Sequence, residues 1–439
     1  MSLAVTLPPI HRERLSNGIE LVVAERPGVP LAAARLVLRG GASLDPERRQ
    51  GLAHLVALAT RRGTRRRTGA QIDLAVESLG AELGSGVDED ATYYGISAPV
   101  EGLGTCLDIL ADVAARPTFP SAEVAKLRRR EVAALAHDAD EPSLLADRAM
   151  LQAAYEGHPY GHASEGRARH LSRATRGEVV SLHGAGHVPA AAILVVVGRV
   201  RTSDVLEQVR RRFAGWKGAG AVPPTPPPPA APPSRIVVVD KSDVTQTQVR
   251  IASAGFPRRS PDYHAGAVAS ALLGGGFASR LMDAIRVNRG LSYSVRSRFL
   301  PSGEGGLFAI STFTKVETTA EIVKVALDET ARFADGGPTQ EELDRTASYL
   351  CGLFPLTLET HDQLAERLAD LALYGLGEEE VTRFVERIRA VGAEEARAAA
   401  RRYFPVDRRL VVAVGPAGKV AKALEPFGPV TVLPVGKVM

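Results

Sequence analysis

The residues of this chain that are spaced for chemistry mostly come in incomplete sets. His54 is a lone imidazole on an apolar stretch that continues through Ala57 and Leu58. One imidazole cannot supply the roughly 10–16 kcal/mol that a full zinc site gives a folded protein. His158 and His162 lie far along the chain, and nothing in their spacing joins them to His54. Cys106 and Cys351 are too few for a disulfide framework or a cysteine zinc cluster. Arg61, Arg62, Arg65, Arg66 and Arg67 form a dense cationic run of the kind that can hold phosphate or nucleic acid. No aromatic residue interleaves, so a solvated loop is the favoured reading. Asp88, Glu89 and Asp90 could attract a basic peptide, although such clusters are more often polar turns between strands. On residue types alone the second half is no more decisive, and a solvated helix arginine and a half-buried strand tyrosine are the favoured reading there. Gly274, Gly275 and Gly276 read as a flexible loop, and Arg286 and Tyr293 come after it, seven residues apart. A fixed guanidinium and a phenol hydroxyl are suitable donors to an oxygen on which negative charge develops.

The scaffold for these residues is large. At 439 residues the chain is long enough for two to three domains. Its 45% apolar and 24% charged composition is that of an ordinary globular protein. The 54 basic and 50 acidic residues leave a net charge of +4, which does not argue for nucleic acid. The longest apolar run, Ala190 to Val197, is far below the roughly 20 residues of a membrane helix. No secretory leader is read. A leader removed earlier would leave the same picture, so the compartment stays open between cytoplasm and periplasm.

Eight of the 29 prolines fall between Ala221 and Arg235, which predicts an extended, stiff connector near the midpoint. The predicted division is 1–216, a connector 217–234, and 235–439. The halves then run in parallel. Each opens with a strand pair, Gly18 to Glu25 and Pro30 to Arg39 against Arg235 to Lys241 and Thr245 to Ser253. An apolar helix follows each pair, and amphipathic helices begin after Pro120 and Pro338. Each half closes on a buried-type strand ending in glycine, Gly198 and Gly415, 217 residues apart. Duplication is the simplest account. The expected fold class is α+β, with two homologous domains whose helices pack on one face of a mostly antiparallel sheet.

The segment Arg39 to Arg67, RGGASLDPERRQGLAHLVALATRRGTRRR, resembles the start of the pitrilysin/insulinase family of inverted zincin metallopeptidases, which includes mitochondrial processing peptidase. Arg14 to Gly18 and His158 to Gly161 extend the resemblance. It implies two homologous domains forming half of a clamshell. The family motif holds zinc with two histidines four apart and a glutamate from a later helix, while a glutamate inside the motif serves as base. Here His54 keeps the first position, Ala57 replaces the base and Leu58 replaces the second histidine. Alignment puts the later glutamate on Ala134 or Leu135, with Glu131 about one turn away. No metal is therefore expected on this chain. The segment Leu272 to Val295 resembles the family's other signature, so Arg286 and Tyr293 are implied to bind substrate backbone and steady the scissile carbonyl. The glycines Gly274 to Gly276 resemble, in shortened form, the glycine-rich loop of the non-catalytic subunit of mitochondrial processing peptidase. Family members also pair an edge strand with extended peptide. The segment Leu83 to Tyr94 lies where that strand is expected.

Two functions follow from the resemblance. The first is a zinc-less subunit, inactive alone, that lends Arg286 and Tyr293 to a homologous partner bearing H-x-x-E-H and zinc, for cleavage of extended peptides. The second is a non-proteolytic structural or peptide-binding scaffold, like the core proteins of the respiratory ubiquinol–cytochrome c reductase. The large inner surface of half a clamshell also leaves room for a homodimer of the isolated chain.

Overall fold

A computed structural model describes residues 5–218 and 220–439; residues 1–4 and Ala219, in the first segment and the connector, lie outside the described residues. Among the described residues twelve strands form two six-stranded sheets. The first holds β1 (Ile10–Arg14), β2 (Glu20–Glu25), β3 (Leu31–Arg39), β4 (Glu82–Val87), β5 (Ala91–Pro99) and β6 (Ala192–Gly198) in the order β1-β2-β6-β3-β5-β4. The second holds β7 (Arg235–Asp240), β8 (Gln246–Ala254), β9 (Val295–Pro301), β10 (Gly306–Lys315), β11 (Leu410–Gly415) and β12 (Val430–Pro434) in the order β12-β7-β11-β8-β10-β9. The orders superimpose. In each sheet the glycine-ended strand pairs in parallel with an early strand of its half, β6 with β2 (Gly198 opposite Glu25) and β11 with β7 (Gly415 opposite Asp240). The halves differ at the outer edge, where β1 runs antiparallel to β2 but β12 runs parallel to β7.

Strands β6 and β11 are buried at every position. Continuous apolar runs of this kind belong to strands covered on both faces. One face of the first sheet is covered by helices of its own half, Leu103–Ala115 and Thr202–Phe213, through Leu107, Leu110, Val205 and Phe213. Its other face, with Val22, Val37, Ile193, Val195 and Val197, is covered by Leu364, Leu368 and Leu371 of the helix His361–Tyr374, which belongs to the second half. The exchange is mutual. Val237, Val239, Val412 and Val414 of the second sheet pack against Leu145, Ala149 and Met150 of the helix Pro142–Ala154, from the first half.

A matching pair of ion pairs locks the exchange. Arg35 of β3 donates to Asp362 at 2.9 Å, and Arg250 of β8 donates to Asp147 at 2.6 Å. Arg35 and Arg250 are 215 residues apart, and so are Asp147 and Asp362. The two copies of one contact have therefore been kept across the duplication, each now made to the other half. Arg250 is the more buried and also bonds the Ser143 hydroxyl at 2.8 Å.

The turn Asp88 to Asp90 joins β4 to β5 and ties the halves together. Asp90 accepts from Tyr160 OH at 2.6 Å, Gly303 N at 2.7 Å and Tyr374 OH at 3.0 Å. Asp88 accepts from the backbone of Asp90 and Ala91 and from Tyr93 OH. Their carboxylates are thus hydrogen-bond acceptors within the turn between the two strands. His158 holds the proline-rich connector in place, bonding Pro227 O at 2.7 Å through Nε2. Among the described residues no helix is long and apolar enough to cross a membrane.

Removing Arg250 strands Asp147 at the edge of a core. Arg250→Met is expected to cost about 2–4 kcal/mol in urea unfolding, and the more exposed Arg35→Met under about 1 kcal/mol. Equal costs would show that burial does not set the difference. Glu89, between the two bonded aspartates, is pushed up to about 7 by burial, with repulsion from Asp88 and Asp90 adding to it. The folded state keeps this proton where the unfolded chain has released it, so the penalty grows from about pH 4.5 and is complete above about pH 7. Glu89→Gln is expected to stabilise the protein by on the order of 1–3 kcal/mol at pH 8 and to leave it unchanged at pH 4.5. A gain of the same size at both pH values would remove titration as the cause.

Candidate functional site

The helix Leu52–Ala59 begins at Gly51, whose φ of +91° favours glycine. Asp45 caps it from outside, accepting from Gly51 N at 2.6 Å and Ala53 N at 2.7 Å. Burial pushes the Asp45 carboxyl up to about 7 despite these bonds. The cap fixes the pitch at which His54 leaves the helix. His54 reaches the helix Ser121–Asp138, where its Nε2 lies 3.3 Å from Glu131 Oε2. The other carboxylate oxygen of Glu131 accepts from Arg130 at 2.8 Å and 3.0 Å.

The alignment places the family's later glutamate on Ala134 or Leu135, neither of which is acidic. The acid that faces His54 is Glu131, one turn earlier. Advancing one turn along both helices reaches Leu58 and Leu135, where the pairing is apolar; Leu135 is buried and Leu58 packs in the same cluster. Ala57 is also buried, against the first sheet. Two donors are thus together, not one, but a tetrahedral zinc site needs three protein ligands and an open position. Among the described residues no group of three His, Cys, Asp or Glu side chains could hold a metal ion. The residues present do not fit zinc. His158 and His162 are engaged elsewhere, His158 with Pro227 and His162 with Glu47 at 2.9 Å.

The second-half motif is built differently from its sequence reading. The helix Tyr263–Ser270 runs on into a wide turn over Ala271–Gly275. Gly274 lies so close to β9 that a Cβ on it would sit 2.6 Å from Ser297 N. The glycine run is therefore a packed turn, not a flexible loop, and only Gly275 is exposed. Ser279 does not cap the next helix; its hydroxyl donates to Gly276 O at 2.6 Å. The segment Met282–Val287 is π-helical, a widened geometry common at functional positions. It ends at Gly290, with φ +61°.

Tyr293 lies two residues before β9, which starts only at Val295. Ser292 causes the delay. Its hydroxyl accepts from Ser294 N at 3.3 Å and donates to Ser294 O at 3.0 Å, which curls the backbone out of the ladder. Tyr293 consequently projects from a turn, 71% exposed, with its ring edge on Phe313. Arg286 is exposed too, its guanidinium 5.4 Å from the ring centre of Phe277. Among the described residues neither the Arg286 guanidinium nor the Tyr293 hydroxyl has a hydrogen-bond partner.

Strand β4 is the free edge of the first sheet. Beside it opens a cavity of about 860 Å³, bounded by the β4–β5 hairpin and the exchanged helix His361–Tyr374. Glu82, Asp88, Asp362, Glu366 and Asp370 line it, with Arg35 as the only lining cation among the described residues. The sequence reading missed Asp362, Glu366 and Asp370. Their spacing of four, one face of a helix, was the available signal.

Residues 21–166 match the family model described as Insulinase (Peptidase family M16), and residues 173–350 match the one described as Peptidase M16 inactive domain. An uncharacterised zinc protease of Mycobacterium tuberculosis is 26% identical over 419 residues, covering 94% of this chain and 95% of the relative. One of Bacillus subtilis is 20% identical over 411 residues, covering 94% and 99%. The crystal structure of a peptidase M16 inactive domain from Pseudomonas fluorescens matches with a TM-score of 0.88 and 26% identity, covering 93% of this chain and 98% of that one. A protease from Helicobacter pylori shares the fold, with a TM-score of 0.84 at 21% identity and coverage of 94% and 100%. Family models, near full-length relatives and a common fold agree, and the chain belongs to the pitrilysin/insulinase family of peptidases.

Proposed function

We propose that this chain is the zinc-less subunit of a two-chain metallopeptidase. A homologous partner bearing H-x-x-E-H supplies the metal centre, and this chain supplies Arg286 and Tyr293 to extended peptide. On this reading residues 1–216 are the peptidase-like domain with the degenerate motif, 217–234 the connector, and 235–439 the domain carrying the arginine and tyrosine. The observation that carries it is a contrast between the two motifs. His54 is engaged with Glu131 on a helix whose next positions are apolar. Arg286 and Tyr293 stand exposed, and among the described residues neither polar group has a hydrogen-bond partner, as with groups awaiting a substrate. The inactive-domain neighbour supports the same reading.

The peptide would lie along the free edge of β4, where backbone donors and acceptors can pair with an added strand. The acidic wall of Glu82, Asp362, Glu366 and Asp370 favours a peptide with cationic side chains. Arg286 and Tyr293 would donate to the scissile carbonyl as it gains negative charge. A structural scaffold is the competing reading, and it asks nothing of these two side chains.

Purified chain alone is expected to hold no stoichiometric zinc and to cleave no unstructured basic peptide. Mixed with a homologue that carries H-x-x-E-H, it is expected to give cleavage that a chelator abolishes. In that mixture, Arg286→Ala with Tyr293→Phe is expected to lower kcat/KM by on the order of 10² to 10³, the usual loss for a carbonyl-stabilising donor. Chelator-sensitive cleavage by the chain alone would overturn the proposal. Full activity of the double variant would favour the scaffold.

A further inference from the structure

The arginine run after the first apolar helix is not the solvated loop its composition suggests. Arg65 N bonds Arg116 O at 3.0 Å and Thr118 N bonds Gly63 O at 2.9 Å, which zips the loop to the end of the helix Leu103–Ala115. Arg67 reaches Asp112 at 2.5 Å and Asp108 at 3.0 Å, Arg66 reaches Asp108 at 3.2 Å, and Arg116 reaches Asp112 at 2.8 Å. Asp112 is wholly buried beneath them. From the other side, the helix Thr202–Phe213 brings up Arg211 and Arg212. Arg212 is pinned over Gly104, donating to its carbonyl at 2.8 Å, and a Cβ on Gly104 would sit 2.7 Å from Arg212 Nη2. The two walls enclose an open groove of about 510 Å³ lined by Arg66, Thr105, Asp108, Arg116, Arg211 and Arg212.

The groove carries more positive charge than the chain neutralises. Among the described residues Arg66, Arg116, Arg211 and Arg212 line it with Asp108 as the one lining acid, while Arg67 pairs with buried Asp112 behind them. Among the described residues Arg211 has no hydrogen bond or ion pair to this chain, and Arg212 Nη1 has no partner. Like charges are held this close only where the fold fixes them, here by buried Asp112 and the Gly104 carbonyl. Guanidinium forks match the oxygens of a phosphate group, and several on facing walls suit an anion with more than one charge. We propose that this groove binds a phosphate-bearing anion, either a free polyphosphate or the headgroup of an anionic lipid. It lies outside the acidic cavity beside β4, and the inference does not rest on the proposed peptidase role.

The test is calorimetric titration of the full chain with inorganic pyrophosphate at low ionic strength, beside sedimentation with vesicles of phosphatidylglycerol and phosphatidylcholine. Saturable binding is expected that weakens at least tenfold in 0.3 M salt, as screening requires. Arg211→Gln, which breaks no contact within the chain, is expected to weaken it about tenfold, and Arg66→Gln with Arg211→Gln to abolish it. Arg201→Gln, an equal charge change at the exposed start of the same helix, is expected to leave it unaltered. Pyrophosphate binding without sedimentation assigns the groove to a free phosphate; sedimentation lost in the double variant assigns it to lipid. No saturable binding of either kind, or equal loss from Arg201→Gln, would overturn the proposal.

Discussion

Each half of this protein makes a sheet with two apolar faces and keeps only enough helix to cover one. The second face of each sheet is closed by a helix from the other half, His361–Tyr374 over β3 and β6, Pro142–Ala154 over β8 and β11. Burying a large aliphatic side chain is worth about 1.5–3 kcal/mol, and each exchanged helix buries several. Neither sheet can therefore be completed within its own half. The ion pairs Arg35–Asp362 and Arg250–Asp147, equivalent across the duplication, fix the angle at which the exchanged helices cross. A single six-stranded unit that once had to dimerise to close its sheets would contain this same contact in both copies.

The candidate site inherits this arrangement. Its cavity lies between the free edge of the first sheet and a helix of the second half. Its acidic character comes largely from that helix, whose inward face packs leucines on the sheet while Asp362, Glu366 and Asp370 line the opening. The net charge of +4 thus conceals two opposed regions. An acidic wall stands beside β4, and a basic groove lies between the helices Leu103–Ala115 and Thr202–Phe213. Overall charge is a sum, and a sum does not say where the charges are placed.

The segment from His54 to Leu58 keeps the fold of its helix with apolar residues at two positions of the family motif. A zinc centre keeps polar ligands at a helix–helix contact where apolar packing would otherwise form. Here Leu58 packs with Leu135 at that contact, and Ala57 is buried against the first sheet. His54 and Glu131 satisfy each other at its margin.

The amino-acid sequence by itself determined the strands, the duplication and the chemistry that is missing. Apolar runs ending in Gly198 and Gly415 identify the central strands, because burial on both faces leaves no polar position in them. Ala57 and Leu58 take two positions of the family motif out of any ligand set, since neither side chain can donate to a metal. Only the tertiary structure decided which groups meet. Glu131 faces His54, and not the residue one turn on, because the crossing of two helices sets their relative advance. Tyr293 left its strand because the Ser292 hydroxyl competes for the backbone that a ladder would use. The acids of the chamber and the partners of the arginine loop come from segments far away in sequence. Local pattern fixes which face of an element is apolar; the element that covers that face is chosen by long-range packing, which spacing along one chain does not encode.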